Sequence, residues 1–209
     1  MKKVTIIDYG MSNLLSISRA FEKVGAMVNL TENPDEIAKA DLLILPGVGA
    51  FYDGMLELSE RNIPEAIGAF IKTGKPFLGI CLGMQMMLGE GTEVKTTDGL
   101  GIIPGKVLPL PNTNALGHIN TIPHIGWAPL KSTSAKYSTL LQNEEASFMY
   151  FVHSYFVSPD ETNHSIASTT FSDIQFTSVV NNENAWGTQF HPEKSGEIGL
   201  NMLNNFLHL

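Results

Sequence analysis

Cys81 is the only cysteine of the chain, and it stands between glycines in Gly79-Ile80-Cys81-Leu82-Gly83. The apolar run Pro76-Phe77-Leu78-Gly79-Ile80 leads into it, and a helix-competent run, Leu82 to Leu88, follows. A nucleophile at such a strand-to-helix junction forms an elbow, where the chain turns so tightly that only small neighbours fit. The helix N-terminus favours thiolate there, through its dipole and its free N–H groups. A lone cysteine is otherwise a small buried hydrophobe, so its partners decide the reading. The segment Gln189-Phe190-His191-Pro192-Glu193 supplies them. In extended chain, residues two apart share a side, so His191 and Glu193 can meet while Pro192 restricts the backbone between them. A carboxylate on one ring nitrogen leaves the other free to exchange a proton with a thiol. Cys81, His191 and Glu193 are thus candidate nucleophile, base and orienter of a covalent mechanism.

The third chemical feature is Leu45-Pro46-Gly47-Val48-Gly49-Ala50. Glycine accepts positive φ at little cost, so the peptide planes beside Val48 can reorient. Backbone N–H groups of Val48 and Gly49, with that of Leu82, are the candidate oxyanion hole for a tetrahedral intermediate. The plainer reading is an ordinary glycine-rich loop. No Lys-Ser/Thr pair follows, which argues against a phosphate-binding loop.

These groups need a scaffold, and the first half of the chain alternates strand and helix. Val4–Ile7, Met27–Leu30, Leu42–Leu45 and the run into Cys81 read as strands. Leu14, Ile17, Phe21 and Val24 mark one face of a helix that Gly25 ends. Asn33-Pro34 starts a short helix, and further helices are expected around 53–59 and 64–73. Repeated strand–helix–strand units imply a mostly parallel sheet with right-handed crossovers. Active sites then form beyond the carboxyl ends of the strands. From about residue 100, β-rich pieces around 106–108, 147–152, 165–170, 174–180 and 185–190 read as antiparallel strands. A turn is expected at Asn181–Asn184, and Leu200, Leu203, Phe206 and Leu207 mark a closing amphipathic helix. Residues 1–209 read as one α/β domain.

Composition narrows the chemistry. Net charge is −8, and no basic run exceeds Lys2-Lys3, so nucleic acid and anionic membrane are poor partners. One cysteine allows no internal disulfide and suits a reducing cytoplasm, and the six histidines lack zinc-ligand spacing. The N-terminal apolar run is short and broken by Asp8, which makes it a first strand and no signal peptide. No metal or cofactor is expected. Met84, Met86 and Met87 are expected in the core, and His153 beside the pocket without a proton-transfer role.

Gly-Ile-Cys-Leu-Gly-Met-Gln with a late His-Pro-Glu resembles the class I glutamine amidotransferases, along nearly the whole chain. Within that class the chain most resembles the glutaminase subunits of imidazole glycerol phosphate synthase. The residues that carry this likeness are Asp8-Tyr9-Gly10-Met11 with Asn13, Pro46 to Phe51, Gly99-Leu100-Gly101, Pro123 to Trp127, Tyr150 to Tyr155 and Gln189 to Ser195. The resemblance implies a flavodoxin-like three-layer sandwich that hydrolyses L-glutamine through a cysteinyl thioester. It implies that Gly47, Gln85, Glu93, Ser154 and Tyr155 hold the substrate. Asp8, Tyr9, Asn13 and Trp127 would face a partner, a (βα)8-barrel cyclase that receives the ammonia in a heterodimer. Ignoring the resemblance, Trp127 could equally be a core aromatic.

Ser12, Ala128, Thr121-Ile122 and Pro109 depart from the pattern expected of the histidine-pathway subunit. They lie mostly on partner-facing segments and leave a second synthase class open, one that modifies surface sugars. Two further readings are a catalytically silent partner subunit and a stand-alone cysteine hydrolase such as a peptidase. The intact triad opposes the silent subunit, and Gln85 and Glu93 oppose the peptidase.

Overall fold

Short runs of apolar residues that bury both faces build the centre of the molecule. In the computed structural model, which describes residues 1–141 and 147–209, the first half of the chain alternates as its pattern requires. Strand β1 (Lys3–Ile7) leads to α1 (Leu14–Lys23), β2 (Met27–Thr31), α2 (Pro34–Ala38) and β3 (Leu43–Leu45). Then come α3 (Phe51–Glu60), α4 (Ile63–Ile71), β4 (Phe77–Ile80) and α5 (Leu82–Met86). Helix starts follow local chemistry: Asn13 caps α1 by accepting from Ser16 N–H, and Asn33 caps α2 by accepting from Asp35 N–H.

The second half supplies β5 (Leu88–Gly91), β6 (Thr97–Asp98), β7 (Ile103–Pro109), β8 (His124–Pro129), β9 (Lys131–Ser132) and α6 (Tyr137–Leu141). It continues with β10 (Phe148–His153), β11 (Tyr155–Pro159), β12 (Ser165–Phe171), β13 (Ile174–Asn182), β14 (Ala185–Thr188) and α7 (Gly196–Leu207). The large sheet runs β2-β1-β3-β4-β14-β13-β11-β7-β5-β6, with β12 and β9 beside β13, while β8 and β10 form a separate ribbon. Pairings from β2 through β14 are parallel, and β14, β13, β11 and β7 then pair antiparallel.

Strand periodicity divides the core into two layers. Val4, Ile6, Ile44, Leu78 and Ile80 pack with α1 and α7, while Ile7, Leu43, Leu45 and Phe77 pack with α3 and α4. Met84, Met86 and Met87 are fully buried, as expected.

Two local readings need correction. The run after Cys81 reads as helical to Leu88, yet α5 stops at Met86 and Leu88 opens β5. Gly89 and Gly91 weaken a helix there, and β7 offers Leu88 a parallel partner at Ile103. The pieces His124–Pro129 and Tyr155–Pro159 are strands that local patterning alone does not reveal.

Candidate active site

Sheet register assembles the site. Leu45 lies opposite Gly79 in the β3–β4 pair, and Thr188 lies opposite Ile80 in the β14–β4 pair. The Pro46–Ala50 loop, Cys81 and the segment after Thr188 therefore leave the sheet side by side at strand carboxyl ends.

Cys81 adopts φ 54° and ψ −109°, a strained conformation for a residue with a side chain. It is over-determined by its neighbours. Its N–H donates to the Thr188 carbonyl at 2.7 Å, and its carbonyl accepts from Gln85 N–H at 3.1 Å to start α5. The flanking glycines are required by close approach: a Cβ on Gly83 would collide with the Leu45 carbonyl, and one on Gly79 with the Gly83 backbone.

His191 is 3% exposed. Its Nδ1 lies 2.8 Å from Glu193 Oε1, both side chains being almost wholly buried. The loop is stapled from two sides. His191 N–H donates to the Tyr150 carbonyl at 3.0 Å, and Ser195 Oγ donates to the His191 carbonyl at 2.6 Å while accepting from Tyr150 N–H at 3.0 Å. Nε2 is buried without a hydrogen-bond partner of good geometry, yet it is close enough to Cys81 for the sulfur to govern its titration. Burial opposes the charged ring, but the proximity of Cys81 and the bond to Glu193 outweigh it and push His191 up to about 10. The imidazolium is therefore the resting form at neutral pH.

A cavity of about 420 Å³ opens over this pair. Val48, Gly49, Leu82, Gln85, Glu93, Ser154 and Tyr155 all line it. Gln85 Nε2 donates to the Tyr155 carbonyl at 2.9 Å and to Gln189 Oε1 at 3.2 Å. Glu93 Oε2 accepts from Phe51 N–H at 2.8 Å, capping α3, whose own Ala50 provides no side-chain cap. Gly47 lies outside the cavity lining and admits close packing: a Cβ there would meet Tyr9 Oη at 2.5 Å and Leu82 Cβ at 2.9 Å.

The expected oxyanion donors are not all aimed at the cavity. Val48 N–H donates to the Met11 carbonyl at 2.9 Å, so this structure holds that donor against the Asp8–Asn13 loop. Gly49, at φ +112°, sits over Met11 Cε, where a Cβ would come within 2.7 Å.

The partner-facing residues divide. Trp127 is 55% exposed, beside exposed Ile125 on the same face of β8, and meets Tyr150 edge-on. That exposure argues against the core-aromatic reading. Asn13 is exposed and Asp8 half-buried. Tyr9, expected at the surface, is fully buried, and its hydroxyl donates to the Pro46 carbonyl at 2.9 Å. Burial, then the charge of Cys81, raise its phenol well above the usual range, so it remains a donor. Tyr9 buttresses the Pro46–Ala50 loop from beneath and has no surface to offer a partner.

His153 lines the cavity too, and burial pushes it down to about 4, so it stays neutral as its expected passive role requires. Its Nδ1–H donates to the Tyr155 carbonyl at 2.9 Å, leaving Nε2 to accept from His124 Nδ1–H at 3.1 Å. Sequence reasoning quoted Pro123, Gln189 and Lys194 within its motifs but gave no site role to Lys194 and Pro123 on the cavity wall or to the buried Gln189. Gln189 could have been found, since it precedes His191 by the same two-residue step that links His191 to Glu193.

A sheet of this order thus places a buried Cys–His–Glu set at its strand ends, the residue types that nucleophilic thiol chemistry requires. The family described as "Glutamine amidotransferase class-I" matches residues 5–209. The chain is 48% identical over 213 aligned positions, covering all of both chains, to "Imidazole glycerol phosphate synthase subunit HisH 1" of Legionella pneumophila (strain Lens). It is 43% identical to "Imidazole glycerol phosphate synthase subunit HisH" of Geobacillus sp. (strain WCH70), over 97% of this chain and 95% of that one. Among solved structures, "Structure of PurLQS from Thermotoga maritima" superposes with a TM-score of 0.73 at 18% identity, covering 99% of this chain and 98% of that one. A "Crystal structure of glutamine amidotransferase" gives 0.72 at 14% identity, covering 98% and 99%. The chain belongs to the class I glutamine amidotransferases.

Proposed function

We propose that this chain is the glutaminase subunit of a cytoplasmic imidazole glycerol phosphate synthase, acting as one domain that hands ammonia to a (βα)8-barrel cyclase. The observation that carries the chemistry is the buried grouping of Cys81, His191 and Glu193, in which Cys81 and then Glu193 raise the His191 pKa. The Cys81 thiolate attacks the side-chain amide carbon of glutamine and forms a C–S bond. His191 gives its proton to the amide nitrogen, the C–N bond breaks, and ammonia leaves. Water then loses a proton to His191 and attacks the thioester, releasing glutamate and restoring the thiolate. Glu93 faces the substrate's α-ammonium, and backbone at Ser154 and Tyr155 faces its carboxylate.

Val48 N–H, tied to Met11, fits an enzyme whose oxyanion hole is completed only when needed. Free hydrolysis would waste glutamine, and the tie runs to the Asp8–Asn13 loop, on the side assigned to the partner. Docking of a substrate-loaded cyclase would release Met11 and turn the donor toward the site. That arrangement disfavours a stand-alone peptidase, which has no use for a withheld donor. The histidine pathway, and not a surface-sugar synthase, is supported by the full-length relatives.

Glutamate release should be measured with the histidine-pathway cyclase, with and without the cyclase's ribonucleotide substrate. Strong stimulation by the loaded cyclase, lost in Cys81→Ala, is expected. Equal rates with and without the loaded cyclase would sink the coupling, and absence of binding would sink the pathway.

A further inference from the structure

Gln189 is fully buried, and its side chain spans from the nucleophile to Gln85. Its Oε1 accepts from Gln85 Nε2 at 3.2 Å, and its Nε2 lies 3.8 Å from Cys81 Sγ. Which end of an amide carries nitrogen must be argued from its neighbours. Here the far end decides. The Tyr155 carbonyl can only accept, so Gln85 must turn its NH2 toward it, at 2.9 Å. The same NH2 then faces Gln189, which must answer with its oxygen. The Gln189 NH2 is left facing the sulfur. Reversing Gln189 would set donor against donor, and reversing Gln85 would set acceptor against acceptor, in a buried site, which costs more than one lost bond.

An N–H aimed at sulfur stabilises thiolate over thiol, because the charged acceptor makes the stronger bond. The Val152 carbonyl, 3.9 Å from Sγ, acts in the opposite sense, since it can only accept the thiol proton. His191 and Gln189 both favour the charged form of the sulfur. At the other end of the chain of bonds, Gln85 has committed its NH2 to Tyr155 and Gln189, which leaves Oε1 to meet a donor of the substrate.

We propose that Gln189 is a further catalytic residue: its amide holds the Cys81 thiolate and, through Gln85, fixes an acceptor that receives glutamine. This rests on Cys81 being the nucleophile. Two substitutions separate the two duties. Gln189→Glu keeps an oxygen for Gln85 but turns oxygen toward the sulfur; Gln189→Met removes both contacts at similar volume.

The test is the pH dependence of alkylation by iodoacetamide on the full-length chain, where Cys81 is the only thiol, together with glutaminase kinetics in the cyclase complex. Both variants should move the alkylation midpoint upward by about one pH unit. Gln189→Glu should lower kcat with KM nearly unchanged, while Gln189→Met should also raise KM several-fold. If the glutamate variant does not fold, the methionine variant carries the test. A folded Gln189→Met whose alkylation profile and KM match the parent would overturn the proposal. Retained glutaminase activity in Cys81→Ala would instead overturn the nucleophile assignment beneath it.

Discussion

A buried histidine with a raised pKa needs something nearby to hold its charge, and here two groups do so. Burial alone would drive His191 toward neutrality; Cys81 and Glu193 reverse that and bring it to about 10. His191 therefore stands charged beside Cys81, and on the proposed mechanism the proton for the leaving ammonia is already on its ring. Because Cys81 is the first influence that raises this balance, Cys81→Ala should lower the His191 midpoint toward the ordinary histidine range, followed by the ring-proton shifts in NMR. Glu193, 2.8 Å from Nδ1, remains in that variant and keeps part of the rise. An unmoved midpoint would mean that cysteine and histidine are not coupled at rest.

Strand ends and loops bring these residues together, and one buried phenol holds two of the loops in place. Tyr9 follows β1, and its hydroxyl bonds the Pro46 carbonyl beyond β3. Removing that hydroxyl in Tyr9→Phe leaves a buried carbonyl short of a donor, at about 1 kcal/mol. For a chain of this size that should lower Tm by about 2–4 °C, measured by thermal unfolding, and an unchanged Tm would show that water or rearrangement replaces the bond. Tyr9 also shows where local sequence reading stops. Between Asp8 and Gly10 it reads as a surface loop residue; its burial is imposed by Pro46 and Gly47, thirty-seven residues and more away. The triad was legible because it rests on residue types at short spacing beside an apolar strand. The orientation of Val48 N–H was not, because glycines on both sides leave the peptide free and only Met11 decides its direction. The parallel strands were legible because burial on both faces leaves short apolar runs. In β8, Ile125 and Trp127 face outward, which blurs the alternation.

Across the whole molecule, two buried imidazoles shifted in opposite senses shape stability against pH. His153 falls to about 4 when folded, so between about pH 6.5 and 4 the unfolded chain binds the extra proton. Stability therefore drops as pH falls through that window, by on the order of 3 kcal/mol from this residue. His191 rises to about 10, so its contribution is fully present below about 6.5 and is lost as pH climbs toward 10. The two slopes meet near the ordinary histidine value, and stability to urea should peak near pH 6.5. Each limb has its own variant. His153→Asn should flatten the acid limb, leaving the slope due to carboxylates. Cys81→Ala should partly flatten the alkaline limb, because it removes one of the two groups that raise His191 against burial and leaves Glu193. Urea midpoints at about pH 4.5, 6.5 and 9 check both, and a stability that rises steadily from pH 6.5 to 9 would show that His191 is neutral in the resting fold.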